Sequence, residues 1–108
     1  MHRDRLKPII DEMVERIVRR FNPRRIILFG SVARGDAGPD SDVDLLVVMP
    51  FKGSRRKKAI EIGVAVNDLP VPKDIVVTTP EEFEWRKDFV GTIERPAARE
   101  GRVLYARE

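Results

Sequence analysis

The sequence contains no cysteine and only one histidine, His2. The lack of cysteine excludes disulfide bonds, thiolate zinc sites and catalysis by a cysteine nucleophile. No apolar stretch approaches the ~20 residues that a helix needs to span a bilayer, and the charged residues 1–10 do not match a secretory signal. We therefore expect a cytoplasmic protein that does not contact a membrane.

Aromatic residues are also scarce, at 6% of the chain, whereas charged residues make up 36%. The net charge is only +3, and the basic residues are spread along the chain. A protein that binds RNA or DNA usually combines a clustered basic patch with aromatic rings on which bases stack. We therefore do not expect nucleic acid as a direct ligand, and residues 55–58 (RRKK) are more typical of a solvated helix face.

Apolar residues recur at two different spacings, which predict helices and buried strands in alternation. The predicted elements are a helix over 4–21, a strand over 26–29, a helical turn over 31–35, a loop over 37–40, a strand over 43–48, a helix over 53–68, a strand over 73–78, a helix from Pro80 to about Ile93 and a strand over 101–106. This pattern predicts an α/β (α+β) fold, with a small mixed β-sheet covered by helices. A length of 108 residues is typical of a single domain, which we expect to span residues 1–108.

Acidic residues gather just before the second predicted strand. Asp42 and Asp44 are two positions apart, so in an extended chain they project from the same face, about 7 Å apart at Cα. Two carboxylates so placed repel each other unless a cation lies between them. Carboxylate oxygens favour Mg²⁺ or Mn²⁺ over zinc. Asp74, at the start of the third strand, is the candidate for a third carboxylate, as a metal ligand or as a general base.

A second candidate feature, Gly30-Ser31, lies where the first strand gives way to a short helix. Backbone N–H groups at such a junction can bind a phosphate, and glycine lets the phosphate approach closely. The segment is not a P-loop, because Asp36 stands where that motif requires lysine. It is not a calcium loop either, because Leu45 replaces the glycine needed at the sixth position.

Each candidate also has a structural explanation. Asp42 and Asp44 are compatible with a solvated turn before a strand, and Ser31 with a helix N-cap. Asp74 is compatible with a strand start whose side chain points into water. Arg34 suits a salt bridge to Asp36 or another acid as well as a phosphate contact. The sequence alone leaves these alternatives open.

Taken together, G-S-x-A-R-G, S-D-x-D and the hydrophobic run that follows resemble the nucleotidyltransferase signature of the DNA polymerase beta superfamily. At this length the chain is similar to the minimal nucleotidyltransferases, many of which are antitoxins paired with a small helical HEPN-type protein. The resemblance implies a nucleotidyltransferase fold and a reaction that moves AMP from ATP to a tyrosine of the partner. It also implies two Mg²⁺ ions, for which Mn²⁺ is an alternative.

The resemblance also implies roles for individual residues. Gly30 and Ser31 match the positions that bind the β- and γ-phosphates, Asp42 and Asp44 match two metal ligands, and Asp74 resembles a third catalytic carboxylate. Arg34 and Ser41 are the further nucleotide-binding candidates. The alternative function is a non-catalytic nucleotide-binding module that neutralises a partner toxin by contact alone.

Overall fold

The computed structural model describes residues 2–38 and 41–107, with side chains from residue 5 onward, so the predicted turn at Asp40 and the side chain of His2 lie outside the described part. The helices and strands, in chain order, are α1 (His2–Phe21), β1 (Arg25–Phe29), α2 (Gly30–Arg34), β2 (Val43–Val48), α3 (Arg55–Ala65), β3 (Lys73–Thr78), α4 (Pro80–Arg86), α5 (Glu94–Glu100) and β4 (Arg102–Ala106). The predicted mixed α/β fold is confirmed.

The four strands form one mixed sheet in the order β3-β2-β1-β4. β1 pairs antiparallel with β2 and with β4, whereas β2 and β3 are parallel. A parallel pair needs a crossover connection, and α3 supplies it between β2 and β3. β3 therefore lies at one edge of the sheet and β4 at the other.

Hydrophobic clusters cover both faces of this sheet. Leu45 points to one face, where it packs with buried residues of α1 and α3 such as Met13 and Ile62. Leu46, the next residue, points to the other face and packs with Phe83 of α4 and Ala97 of α5. Because successive strand residues alternate between faces, the run over 43–48 supplies both clusters at once. Below, the two sides are called the α1/α3 face and the α4/α5 face.

The long helix α1 buries one stripe of apolar side chains, as its spacing predicts. Ile10, Met13 and Ile17 are almost inaccessible to solvent. The helix ends where Asn22 adopts a left-handed φ of 50° immediately before a proline. Arg16 connects α1 with the turn after α3, since its guanidinium donates to the carboxylate of Asp68 at 2.6 Å.

The strand bounds predicted for β2 and β3 are confirmed residue for residue. α3 is shorter than the predicted 53–68. It begins after Ser54, whose hydroxyl accepts a hydrogen bond from the backbone N–H of Lys57, and it ends at Ala65. Tight turns with backbone bonds from Asn67 and Leu69 replace the expected last turn.

The prediction of one helix from Pro80 to about Ile93 is wrong. α4 begins with the expected Thr79 cap and ends at Arg86, and the turn that follows contains Gly91 at a φ of +94°, outside the helical region. A further short helix, α5, was not predicted. It is held by tertiary contacts: its Glu94 carboxylate is buried and accepts a hydrogen bond from the hydroxyl of Thr78 at 2.8 Å.

In the part of the chain that the structure describes, none of the helices combines the length and the apolar character needed to cross a lipid bilayer.

Candidate active site

Asp44 and Asp74 lie side by side at one end of the sheet. In the parallel pairing of β2 and β3 the two residues are register partners. Paired residues on neighbouring strands project from the same face, and their Cα atoms are about 4.8 Å apart in an ordinary sheet. Alternation along β2 places them on the α4/α5 face, with Leu46. The predicted approach of carboxylates from two separate strands is therefore present.

Gly30 lies directly against the Asp44 carboxylate. It follows β1, and its neighbour Phe29 is the register partner of Asp44 on the antiparallel side. A methyl group at position 30 would collide with the Asp44 Oδ2 atom, and the φ of +75° is itself a conformation that favours glycine. The sequence therefore needs glycine here both for the turn into α2 and for space beside the acid.

The environment of Asp44 disfavours the ionised form of its carboxylate. Partial burial, followed by the negative charges of Asp74 and Asp42, raises its pKa above that of an ordinary aspartate, and the Arg34 cation partly opposes this shift. The causes of the shift show that all three acids act on one neighbourhood, although Asp42 and Asp74 themselves are exposed to solvent. Such repulsion is what a bound cation would relieve.

The donor set fits a magnesium ion that arrives with phosphate groups better than an ion caged by protein alone. Among the described residues, no group of three or more Asp, Glu, His or Cys side chains is arranged so that it could hold a metal by itself. Mg²⁺ is usually bound by one or two carboxylates, with substrate phosphates and water completing the shell. Asp42 and Asp44 are the candidates for two such ligands, and neither cysteine nor histidine lies near them in sequence.

Ser31 and Arg34 both lie in α2, next to the acids. The N-cap position of α2 is Phe29, so the alternative of Ser31 as a helix cap is wrong. Arg34 makes the predicted salt bridge to Asp36, at 3.3 Å, and approaches Glu100 at 3.9 Å. These pairs leave its guanidinium about half exposed, which keeps a phosphate contact open.

Glu100 was missed by sequence reasoning. It belongs to α5, the helix that the sequence did not predict, and no motif marks it. Ser41, in contrast, was predicted as a nucleotide-binding residue, and here its hydroxyl accepts a hydrogen bond from the backbone N–H of Gly38 at 2.9 Å. That bond closes the loop that leads into β2, so in this structure Ser41 supports the loop.

Comparison with known proteins identifies the family of this chain. The family model described as a nucleotidyltransferase domain matches residues 10–98. The chain belongs to the nucleotidyltransferase family. A curated relative from Methanocaldococcus jannaschii, named a "putative protein adenylyltransferase", is 33% identical over 103 residues, which cover 89% of this chain and 94% of the relative. This chain is thus a nucleotidyltransferase, as the motif predicted.

Two solved structures show the same fold. One, from Sulfolobus solfataricus and described as a "putative nucleotidyltransferase", is 24% identical, covers 97% of this chain and 84% of its own, and superposes with a TM-score of 0.62. The other is a toxin–antitoxin structure with AMP-PNP, 17% identical, which covers 91% of this chain and 74% of its own at a TM-score of 0.55. At these identities the likeness supports the fold of this nucleotidyltransferase.

Proposed function

We propose that this nucleotidyltransferase transfers AMP from ATP to a hydroxyl group of a partner protein, and that it acts as the antitoxin of a HEPN-type toxin. The observation that carries the proposal is the register pairing of Asp44 with Asp74 beside Gly30, within a chain of this family. The name of the M. jannaschii relative supports a protein as acceptor. The AMP-PNP in the toxin–antitoxin structure supports an adenine nucleotide and a toxin partner.

In this mechanism the nucleotide lies over the junction of β1 and α2. Gly30 leaves room for the phosphates to approach the backbone, and the Ser31 hydroxyl donates to a phosphate oxygen. Arg34 adds a positive charge on the same side. A Mg²⁺ ion would be held by Asp42 and Asp44, where it would neutralise phosphate charge and orient the triphosphate. A second ion would need Asp74 as a further ligand.

The chemical step is an exchange of one P–O bond for another. The acceptor hydroxyl gives its proton to Asp74, which acts as general base, and its oxygen attacks the α-phosphorus. The bond from the α-phosphorus to the oxygen that bridges it to the β-phosphorus breaks, and pyrophosphate leaves. AMP remains joined to the acceptor through a new phosphodiester bond. Asp74 is exposed, so an acceptor from solution can reach it.

The decisive experiment compares ATP labelled at the α-phosphate with ATP labelled at the γ-phosphate. Each is incubated with Mg²⁺, the chain and the partner protein that co-purifies with it. We expect label on the partner from the α position only. Label from the γ position would indicate phosphorylation and overturn the proposal. A tight complex that gains no label from either ATP would favour the alternative, neutralisation by contact.

A substitution of the central acid provides the first prediction. Asp44→Asn removes a metal ligand and is expected to lower AMP transfer at least about a hundredfold. It also removes a repelled charge, so the free energy of unfolding measured in urea at neutral pH without metal should not fall. The matched control is Asp88→Asn, an exposed aspartate outside the site. Transfer by Asp44→Asn at the parental rate would contradict the assignment.

We further propose that residues 1–108 act as one nucleotidyltransferase domain and that the cytoplasm is its compartment. The family match over residues 10–98 and the sheet shared by both hydrophobic clusters support the first statement. The second statement rests on the proposed use of ATP as substrate.

A further inference from the structure

Helix α3 carries apolar side chains on two opposite faces. Ile62 and Val66, at the end of the helix, are buried against the α1/α3 face of the sheet. Ile60 and Val64 lie on the outer side, where they are 55% and 61% exposed. A helix that only covers a core is expected to be polar on its outer side. Packing of the core therefore does not explain why the outer side of α3 carries Ile60 and Val64.

A groove runs between this outer side of α3 and the edge strand β3. It has a volume of about 350 Å³ and is lined by Arg56, Ala59, Ile60, Gly63, Asn67, Lys73, Asp74 and Ile75. The α3 side runs from Arg56 to Gly63, about 10 Å of helix, and continues to Asn67 in the turn after the helix. Gly63 widens the groove, because a methyl group added there would meet no atom within 4 Å.

Asp74 lines the groove at the edge of the sheet, whereas alternation along β3 turns its carboxylate to the α4/α5 face, away from α3. The order across the sheet is Gly30 after β1, Asp44 on β2, Asp74 on β3, and then the groove beyond the edge. A nucleotide held near Gly30 would thus lie on one side of Asp74 and the groove on the other. An extended peptide that lies along the edge of β3 turns alternate side chains to the two faces of the sheet, so it would meet the groove with one set and Asp74 with the other.

The charged residues that line the groove indicate which kind of peptide it can bind. Arg56 is exposed and makes no salt bridge with any other described residue. Lys73 donates a hydrogen bond to the backbone carbonyl of Leu69 at 3.0 Å, which leaves its positive charge unneutralised by that contact. The carboxylate of Asp74 does not oppose these two cations, because it lies on the other face of the sheet, and Asp68, which attracts Lys73, is already bonded to Arg16. The groove therefore combines an apolar floor with an excess of positive charge.

We propose that this groove binds the acceptor segment of the partner: a stretch of about five extended residues, apolar and acidic, with the hydroxyl side chain placed at Asp74. Five extended residues, about 16 Å long, span the lining part of α3 and the turn after it, and the edge strand β3 offers backbone groups to a peptide that lies along it. Arg56 and Lys73 bind the acidic residues, and Ile60 packs against the apolar ones. This inference rests on the proposed function, which it deepens by naming the acceptor's sequence class.

Two synthetic peptides test the proposal. The acidic peptide has one tyrosine flanked by glutamates and leucines, and in the basic peptide lysines replace the glutamates. Since the chain has no cysteine, Val64→Cys creates a unique attachment point for an environment-sensitive fluorophore at the rim of the groove. Val103→Cys is the matched control, because it is similarly exposed but lies on β4 at the opposite edge of the sheet.

We expect a saturable fluorescence change at position 64, and none at position 103, when the acidic peptide is added. An exposed ion pair contributes modestly, so the acidic peptide should bind about threefold to tenfold more tightly than the basic one. Arg56→Glu should abolish or reverse that preference. Lys57→Glu, an equal change of charge at the next position of the same helix, should preserve it, because Lys57 does not line the groove.

The same peptides are then incubated with ATP labelled at the α-phosphate. Faster labelling of the acidic peptide by the parent and by Lys57→Glu, but not by Arg56→Glu, would support the groove as the acceptor site. Equal labelling of both peptides, or an unchanged preference in Arg56→Glu, would overturn the inference and leave the proposed function standing. Binding at position 64 without any labelled peptide would support the docking surface and count against the proposed function.

Discussion

At the scale of single residues, the contact between Gly30 and Asp44 joins backbone conformation to chemistry. The glycine φ of +75° turns the chain into α2, and the missing side chain leaves the space that the carboxylate occupies. A larger residue would have to push that carboxylate aside, since it is the movable end of a side chain. The position of Asp44 thus depends on the residue at position 30.

Gly30→Ala is therefore expected to separate stability from activity. A left-handed φ costs alanine about 1–2 kcal/mol of unfolding free energy, and displacement of a catalytic group by about 1 Å lowers rates up to about a hundredfold. Gly53→Ala is the control, because Gly53 has a φ of +81° but open space around its added methyl group.

Urea unfolding should show similar losses of stability for the two variants, and label transfer from ATP should fall only for Gly30→Ala. Full transfer by Gly30→Ala would contradict the role given to this contact.

Part of the site could be predicted at this scale. The alternation of a strand predicts that Asp42 and Asp44 share one face, and the structure places Asp44 in β2 and Asp42 just before it. The pairing of Asp44 with Asp74 required the parallel register of β2 and β3, which depends on the path of α3 and the turns after it. The predicted role of Ser31 in binding the β- and γ-phosphates stays a prediction, whereas the salt bridge between Arg34 and Asp36 is confirmed.

At the scale of elements, an ion pair connects the start of α3 with the first turn of α4. Arg55 donates to both carboxylate oxygens of Glu82, each at 2.5 Å. This hydrogen-bonded cation holds the pKa of Glu82 below its ordinary value, with smaller help from Arg86. The contact ties the helix on one face of the sheet to a helix on the other, at the end of the sheet away from the acids.

This pair predicts a pH-dependent stability. Because the folded pKa of Glu82 is lowered, its contribution is present above the ordinary value of 4.5 and is lost as the pH falls through the lowered value. Glu82→Gln should reduce the unfolding free energy by about 0.5–1 kcal/mol near neutral pH, since the pair is partly exposed.

The deficit should shrink towards zero at an acidic pH below the lowered pKa of Glu82, where the parental carboxylate is also protonated. Thermal unfolding at both pH values measures it, with Glu81→Gln, an exposed neighbour in the same turn, as the control. A deficit of equal size at both pH values would show that the charge of Glu82 is not its cause.

Helices α4 and α5 show where sequence reasoning fails. The start of α4 carries a strong local signal, Thr79-Pro80-Glu81-Glu82, and that start is confirmed. The local signals of α5 are weak: its seven residues include a proline, and at its start the hydroxyl of Thr92 accepts a hydrogen bond from the backbone N–H of Arg95 at 3.2 Å. The helix also needs the burial of Ala97 and Glu94. Such contacts are set by the rest of the fold, and no local pattern encodes them.

At the scale of the whole molecule, both hydrophobic clusters depend on the same central strand. Leu45 and Leu46 are neighbours in the chain, both fully buried, and they pack on opposite faces of β2. Loss of either cluster would expose a face of the sheet that the other cannot cover. The described part of the chain should therefore unfold as one unit.

Leu45→Ala and Leu46→Ala test this. Each is expected to lower the unfolding free energy by about 2–5 kcal/mol, in a single transition with an unchanged dependence on urea. Circular dichroism would follow the helices on both faces. Tryptophan fluorescence would follow Trp85 of α4, whose ring lies 5.2 Å from that of Phe89. Transitions at different urea concentrations for the two signals would contradict a single cooperative unit.

The alternation of side chains along β2 also limits which insertions and deletions this protein can tolerate. Deletion of one residue within 43–48 would turn every later side chain of the strand to the opposite face of the sheet. Deletion of the residue just before Asp44 would likewise exchange the faces of the acids and of their apolar neighbours. A frame-preserving indel would then damage solubility and catalysis in one event. Tolerated length changes in descendants of this sequence should accordingly fall in the connections between strands, outside β2 itself.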